Sequence, residues 1–336
     1  MESHPNRYLV NYIVDGLRNG FDIGFRGDVT PTFPKNLKSA YQNREGMQQA
    51  INKEIQRGHT AGPFPNPPFP ITHCSPIGSA PKKDGSVRLI MDLSQPHGSS
   101  INDAISKEQF VCEYSHFDEA TDLLNLLGYD SLMCKLDIKH AYRLLPVRPD
   151  QWHHLCYFWE GSWYVDLVLP FGLRSSGSIF NQFAKLVRWI IQHHYGIVNI
   201  INYSDDFFAV LSKNRHTALE HLRIIIKAFH DLDIPLAEDK IEGPATSIVY
   251  LGITINSHNM TIEITPDRYQ ESLQSLNDWF LKRTCTKRQL KSLNRKIDFH
   301  SQGGSPRQDV FPEIDRPEYH SASTSSSHHI KQRSKS

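Results

Sequence analysis

Ile197-Val198-Asn199-Ile200-Ile201-Asn202-Tyr203-Ser204-Asp205-Asp206-Phe207-Phe208-Ala209-Val210-Leu211 places two adjacent carboxylates between two runs of apolar residues. Both runs are rich in the β-branched or aromatic residues that favour a pleated, half-buried surface, so the stretch predicts a β-hairpin with Asp205 and Asp206 at its tip. Neighbouring side chains of a strand face opposite ways. A turn breaks that alternation and lets both acids sit near one point, with Tyr203 and Phe207 packed beneath. Two carboxylates held together repel unless a cation lies between them. An ordinary polar turn has the same composition, because Asp is a favoured turn residue, so the pair alone does not choose between the two readings.

A second acidic position shifts the balance. Leu132-Met133-Cys134-Lys135-Leu136-Asp137-Ile138 alternates apolar and polar residues from Cys134 onward and reads as a strand delivering Asp137 near its C-terminal end. Three acids then become available to hard divalent cations, which take carboxylate oxygens and substrate phosphates, and a pair of such ions can clamp an in-line phosphoryl displacement. Asp137 and Asp205 are far apart in the chain, so only a fold can bring them together.

Leu136-Asp137-Ile138-Lys139-His140-Ala141-Tyr142, Leu169-Pro170-Phe171-Gly172-Leu173-Arg174-Ser175 and Tyr203-Ser204-Asp205-Asp206, in that order, resemble the three palm motifs of reverse transcriptases. His4-Pro5-Asn6, Gly20-Phe21-Asp22-Ile23-Gly24-Phe25, Gly62-Pro63-Phe64-Pro65 and Met91-Asp92-Leu93-Ser94 are similar to the tyrosine-recombinase retroelements called DIRS-like. The resemblance implies an α+β right-hand polymerase fold, with fingers, a palm built on an antiparallel sheet, and a partial thumb. It implies an RNA-directed DNA polymerase, a nucleotidyltransferase joining a dNTP to a primer 3′-OH on an RNA or DNA template. Two Mg²⁺ ions, with Mn²⁺ as a substitute, would be held by Asp137, Asp205 and Asp206 and the backbone carbonyl of Ile138. RNase H and recombinase functions would come from elsewhere in the element.

Composition sets the outer bounds. The 336 residues, 39% hydrophobic and 22% charged, suffice for a large core, and the net charge of +1 leaves any nucleic-acid footprint to be local. Five cysteines scattered without a Cys-x-x-Cys pair point away from zinc modules and disulfide scaffolds and toward an intracellular protein, cytoplasmic or nuclear. No apolar run is long enough for a membrane span, and the N-terminus lacks the layout of a secretory signal.

Along the chain, residues 1–60 read as an N-terminal helical extension, with Leu9, Ile13 and Leu17 at helical spacing and a second helix from Lys38 to Arg57. Five prolines between Ala61 and Pro70 predict an extended connector. Residues 61–256 read as fingers and palm, 257–299 as the partial thumb and 300–336, rich in Ser, Gly, Pro, His and Arg, as a disordered tail. Within the fingers, Pro76 to Leu93 predicts a hairpin turning at Asp84-Gly85 and carrying Lys82, Lys83 and Arg88. By the resemblance these basic residues bind the triphosphate, Arg through its bidentate fork; taken alone they form a solvated hairpin. Tyr142, with Ala141, is implied to lie under the sugar of the incoming nucleotide and reject a 2′-hydroxyl. Phe171 and Gly172 would shape the pocket for the new base pair.

By the resemblance Lys240 is implied to be the general acid protonating the departing pyrophosphate; taken alone it is equally a surface lysine. Tyr250, Leu251 and Gly252 resemble the primer grip. Thr265-Pro266 predicts a helix start with Thr265 as N-cap, and Thr286-Lys287-Arg288-Gln289 a capping box. In that last helix Lys287, Arg288, Lys291 and Arg295 fall on one face, either a contact to nucleic-acid backbone or a solvated surface. Two rival functions remain at this point: a truncated remnant that only binds nucleic acid, and an RNA-templated RNA polymerase, against which Tyr142 tells.

Overall fold

The computed structural model describes residues 4–28, 31–82, 85–112, 117–282, 284–287, 289–291 and 293. It opens on α1 (Arg7–Asn19), which buries Val10 and Ile13 and ends where Gly20, at φ 87°, returns its N–H to the Gly16 carbonyl. The single helix expected over 38–57 is two, α2 (Lys38–Gln42) and α3 (Arg44–Gln56). Asn43 breaks it, because its side chain accepts the Gly46 N–H and caps α3, which an asparagine does better than it propagates a helix. The proline-rich run is partly ordered as β1 (Thr60–Phe64), and Pro63 is tolerated there because β1 is a sheet edge with an irregular register.

The remaining elements follow as β2 (Ile77–Pro81), β3 (Val87–Met91), α4 (Phe117–Leu127), β4 (Met133–Asp137), β5 (Cys156–Trp159), β6 (Ser162–Asp166), α5 (Ser176–His194), β7 (Ile200–Tyr203), β8 (Asp206–Val210), α6 (Arg215–Asp231), β9 (Glu242–Ala245), β10 (Ser247–Tyr250), β11 (Ile253–Asn256), β12 (Thr261–Ile264) and α7 (Pro266–Phe280). Four strands in the order β7-β8-β4-β9 make the central antiparallel sheet, expected as the palm. Three smaller sheets, β1-β6-β5, β2-β3 and β10-β11-β12, surround it.

Strand alternation splits the core in two. Leu136 and Phe207 face one way, joining Ile179, Phe180 and Phe229 from α5 and α6 in the larger cluster. Met133, Phe208 and Val210 face the other way, against Phe117 and Leu124 of α4 and Tyr250, Ile253 and Ile255 of the β10-β11 hairpin. Asp137 and Asp206 have the same strand parity as Met133 and Phe208, so both are presented on the face that carries the β10-β11 hairpin.

Thr265 precedes α7 as expected, yet its hydroxyl makes no cap and donates instead to the Gly252 carbonyl at 3.3 Å. The Thr286–Gln289 capping box is formed, with both reciprocal bonds in place. Residues 294–336, including Arg295 and the expected tail, lie outside the described residues, as do Lys83, Asp84 and Arg288. No helix among the described residues is long and apolar enough to cross a membrane, and the five cysteines are free thiols.

Candidate active site

The register of one strand pair assembles the acids. β4 and β8 align Met133 with Val210 and continue rung by rung to Asp137 opposite Asp206. Beyond the last rung the Ile138 N–H donates to the Asp205 carbonyl at 3.0 Å. The hairpin tip turns at Ser204, whose φ of 56° is left-handed, and the buried Asn202 amide donates to the Ser204 carbonyl at 3.2 Å, bracing the turn from inside. All three carboxylates therefore gather at one end of the central sheet.

Their electrostatics are those of a site short of positive charge. Burial, then the charges of Asp205 and Asp137, push the Asp206 carboxyl up to about 6. Burial also raises Asp205, with Asp137 adding to the effect. Lys240 partly answers them: its Nζ donates to Asp137 Oδ2 at 2.9 Å, and that hydrogen bond raises the ammonium further above its ordinary value. Among the described residues no three acidic, histidine or cysteine side chains already converge on a single ion position. The donor set nevertheless suits a hard cation, being carboxylate oxygens that accumulate negative charge under partial burial, with an ammonium standing where a cation is wanted.

A cleft of roughly 740 Å³ opens in front of Asp137, Asp205 and Lys240, and Asp206 lies outside its lining. Asp137, Ile138, Asp205, Ala141, Phe171, Arg88, Lys82 and Lys240 all line it, so residues from four separate motifs meet on one concavity. The Arg88 guanidinium lies 5.4 Å over the Phe171 ring. Tyr142 stands just behind, its ring 5.3 Å from both Phe171 and Phe180. Gly172 turns the loop at φ 96°, and a Cβ there would sit 3.0 Å from the Met91 carbonyl. Only glycine fits that backbone without strain.

Other expected residues lie elsewhere. Tyr250 is 2% exposed and its ring stacks on Phe208 at 4.7 Å, so its side chain belongs to the core. Leu251 and Gly252 follow at a turn where both residues have positive φ and Arg268 of α7 donates to the Leu251 carbonyl. Lys287 and Lys291 are exposed and do not line the cleft.

Two positioning groups carry no motif. Asn102, 5% exposed, donates through Nδ2 to the Gly172 carbonyl and Ser94 Oγ, both at 2.9 Å, and accepts the Arg174 N–H at 2.8 Å. Its only trace in the sequence is the Ser100–Asp103 capping box that tightens the turn on which it rides. Lys135 reaches Glu242 Oε1 at 2.9 Å and the Val249 carbonyl at 2.8 Å, fastening the β9 and β10 strands to the strand that bears Asp137. A lysine in an alternating strand gives no such signal.

Comparison with known proteins agrees with this arrangement. Residues 80–255, just over half of the chain, match the family model described as reverse transcriptase (RNA-dependent DNA polymerase). The Tf2-3 and Tf2-7 transposon polyproteins of Schizosaccharomyces pombe (strain 972 / ATCC 24843) are 22% identical over 234 residues, 70% of this chain. The chain spans only 16% of the length of these curated relatives. Among solved structures, the foamy viral protease-reverse transcriptase dRH in complex with ds DNA superposes with a TM-score of 0.61 at 18% identity, covering 82% of this chain and 43% of that one. The foamy viral protein in complex with RNA/DNA hybrid gives a TM-score of 0.57 at 18% identity, covering 82% and 33%. The helices and antiparallel sheets described above are thus those of the right-hand polymerase fold, and with the matched motifs drawn together at one sheet end, the chain belongs to the reverse transcriptase (RNA-dependent DNA polymerase) family.

Proposed function

We propose that this chain is the polymerase portion of a retroelement protein and extends a primer 3′-OH with deoxynucleotides on an RNA or DNA template. The observation that carries the reading is the β4–β8 register, which sets Asp137 directly opposite Asp206 with Asp205 beside them at the mouth of the cleft. In this reading residues 61–256 are fingers and palm, 1–60 a helical extension and 257–299 the start of a thumb. The stretches similar to DIRS-like elements, Gly20 to Phe25 and Met91 to Ser94 among them, support a DIRS-like lineage, with RNase H and recombinase activities supplied elsewhere in the element.

Asp137, Asp205 and Asp206, with the Ile138 carbonyl, would hold two Mg²⁺ ions, or Mn²⁺ in their place. When bound, the ions supply acidity to the primer hydroxyl and neutralise charge on the departing pyrophosphate. The protein's own groups do the rest. Arg88 and Lys82 receive the triphosphate at the cleft rim, Arg88 through a planar fork that lies 5.4 Å over the Phe171 ring. Tyr142, its ring resting against Phe171 and Phe180, would deny a 2′-hydroxyl room beside the sugar. Lys240 keeps its proton because Asp137 accepts from it. Its ammonium, at the edge of the cleft, is the proton donor for the leaving group. Leu251 and Gly252 support the primer end, and Lys287 and Lys291 meet duplex phosphates without reading sequence.

Primer extension with dNTPs and Mg²⁺ on an RNA template, run beside the Asp205→Asn variant, tests the reading. Extension by the wild type and its loss in the variant are expected. A folded wild type that binds primer–template yet never extends it sinks the proposal and leaves a nucleic-acid-binding remnant.

A further inference from the structure

The floor of the cleft holds an ionic network that the chemistry above does not use. Arg143 is 7% exposed, and its Nη1 and Nη2 donate to Asp166 Oδ2 at 2.6 Å and Oδ1 at 3.1 Å. Its Nε donates to Glu54 Oε2 at 3.1 Å. Glu54 also pairs with His59 at 2.9 Å and Arg57 at 2.8 Å, and the Thr60 hydroxyl donates to Asp166 at 2.6 Å. The network joins α3, the start of β1, β6 and the single 3-10 turn Ala141–Leu144.

That turn is the one bearing Ala141 and Tyr142. It is entered through His140 at φ 70° and Ala141 at φ 37°, and no other two consecutive non-glycine residues among those described share the left-handed region. Such conformations persist only where the surroundings over-determine them. Here the backbone contributes the Arg143 N–H to the His140 carbonyl at 2.9 Å and the Leu145 N–H to the Tyr142 carbonyl at 3.1 Å. Successive side chains of a 3-10 turn diverge by about 120°. The Tyr142 ring therefore runs to Phe171 and Phe180 while Arg143 runs to the two acids, and the turn is held from two sides.

Fold stability alone accounts poorly for this network. A buried ion pair often contributes no more than well-packed apolar residues of the same volume, and its better-attested use is to specify one geometry. Glu54, Arg143 and Asp166 also line the cleft itself.

We infer that Arg143, clamped by Glu54 and Asp166, is a positioning residue for sugar selection, locking the strained 140–144 turn so that Tyr142 stands against the sugar of the incoming nucleotide. This inference rests on the assignment of Tyr142 proposed above. It also ties helix α3 of the N-terminal extension to the sugar pocket, so that a displacement of α3 reaches the turn through one guanidinium.

The test pairs hydrogen exchange with single-nucleotide kinetics on the full chain, comparing wild type, Glu54→Gln, Arg143→Lys and Tyr142→Ala. Glu54→Gln leaves Asp166 to balance Arg143 and so retains the fold. Expected in it are exchange of the Arg143 and Leu145 amides about tenfold faster, unchanged protection in β4 and β8, and a deoxynucleotide-over-ribonucleotide preference narrowed about tenfold, carried by KM rather than kcat. Arg143→Lys, which keeps the charge and loses the fork, should move both readouts the same way. Selectivity that shifts in Tyr142→Ala but stays at wild-type level in Glu54→Gln and Arg143→Lys overturns this inference alone. Selectivity indifferent to Tyr142→Ala overturns the sugar-gate assignment and the inference with it, and a folded wild type that incorporates nothing overturns the polymerase reading as well.

Discussion

Replacing Asp206 by asparagine should stabilise the metal-free chain at neutral pH while abolishing or strongly reducing extension. Burial, with Asp205 and Asp137 close by, lifts this carboxyl from its ordinary 3.8 to about 6. The folded state thus holds its proton more tightly than the unfolded state does. The resulting contribution to stability is fully present below pH 3.8 and is lost as pH rises through about 6, so at pH 7–8 the ionised group burdens the fold. A rise of that size corresponds to at most about 3 kcal/mol at about 1.36 kcal/mol per pH unit. Residual solvent contact and relaxation of Lys240 reduce it to about 1–2 kcal/mol.

Urea unfolding of wild type and Asp206→Asn, in EDTA at a series of pH values from 4 to 8, measures this directly. The two curves should nearly coincide at pH 4 and diverge through pH 6 to a plateau, with a melting temperature about 2–4 °C higher per kcal/mol. Added Mg²⁺ should then stabilise the wild type more than the variant, since ligand binding to the folded state acts by mass action. A variant equal to or less stable than wild type at pH 8 refutes the reasoning, because it would mean that Asp206 is held by a partner rather than strained by its neighbours.

The other predictions concern the cleft wall and the distal basic face. Tyr142→Ala or Tyr142→Val should raise ribonucleotide incorporation about 10–100-fold relative to dNTP, read as the ratio of kcat/KM values; an unchanged ratio removes the sugar-gate role. Gly172→Ala forces a Cβ to 3.0 Å from the Met91 carbonyl at φ 96°, so it should cost about 1–2 kcal/mol in unfolding experiments and raise the nucleotide KM as Phe171 shifts. Arg88→Ala should raise KM for dNTP about tenfold with smaller loss of primer–template affinity, and Arg88→Lys should recover little of it because the fork is lost. Lys287→Ala and Lys291→Ala should each lower the salt slope of primer–template binding by about 1 without altering sequence preference; a slope equal to wild type marks them as solvated surface.

How much of this was legible in the sequence depended on whether a feature is local. The acidic hairpin, the first helix with Leu9 and Ile13 at helical spacing, and the Thr286–Gln289 capping box follow from periodicity and turn chemistry that a short window contains. The spacing predicts one helix across Asn43, whereas in the fold its side chain caps α3 by accepting the Gly46 N–H, a competition a helical pattern does not reveal. Pro63 sits in a strand because that strand is an edge, a property of the sheet rather than of the peptide. Glu54, Arg143 and Asp166 form one network from three distant segments, and each alone looks like an exposed charge; nothing short of the tertiary fold pairs them. Tyr250 adds something the sequence does not show, a ring packed on Phe208 inside the core beneath the turn it leads into.

The β5–β6 turn has a use that the chemistry does not touch. Glu160 and Gly161, at φ 44° and 81°, close it at the tip of a hairpin, where Glu160 pairs with the exposed Arg44 at 3.6 Å and a Cβ on Gly161 would meet nothing within 4 Å. Meanwhile Asp137 and Asp206 are aligned by ladder bonds that take no account of how long the chain between them is. Lengthening a loop costs only logarithmically in closure entropy. A reporter or affinity module spliced between Glu160 and Gly161 should therefore be carried as cargo: the carboxylates stay in register, and the molecule gains a handle through which it can be tethered or watched while it works.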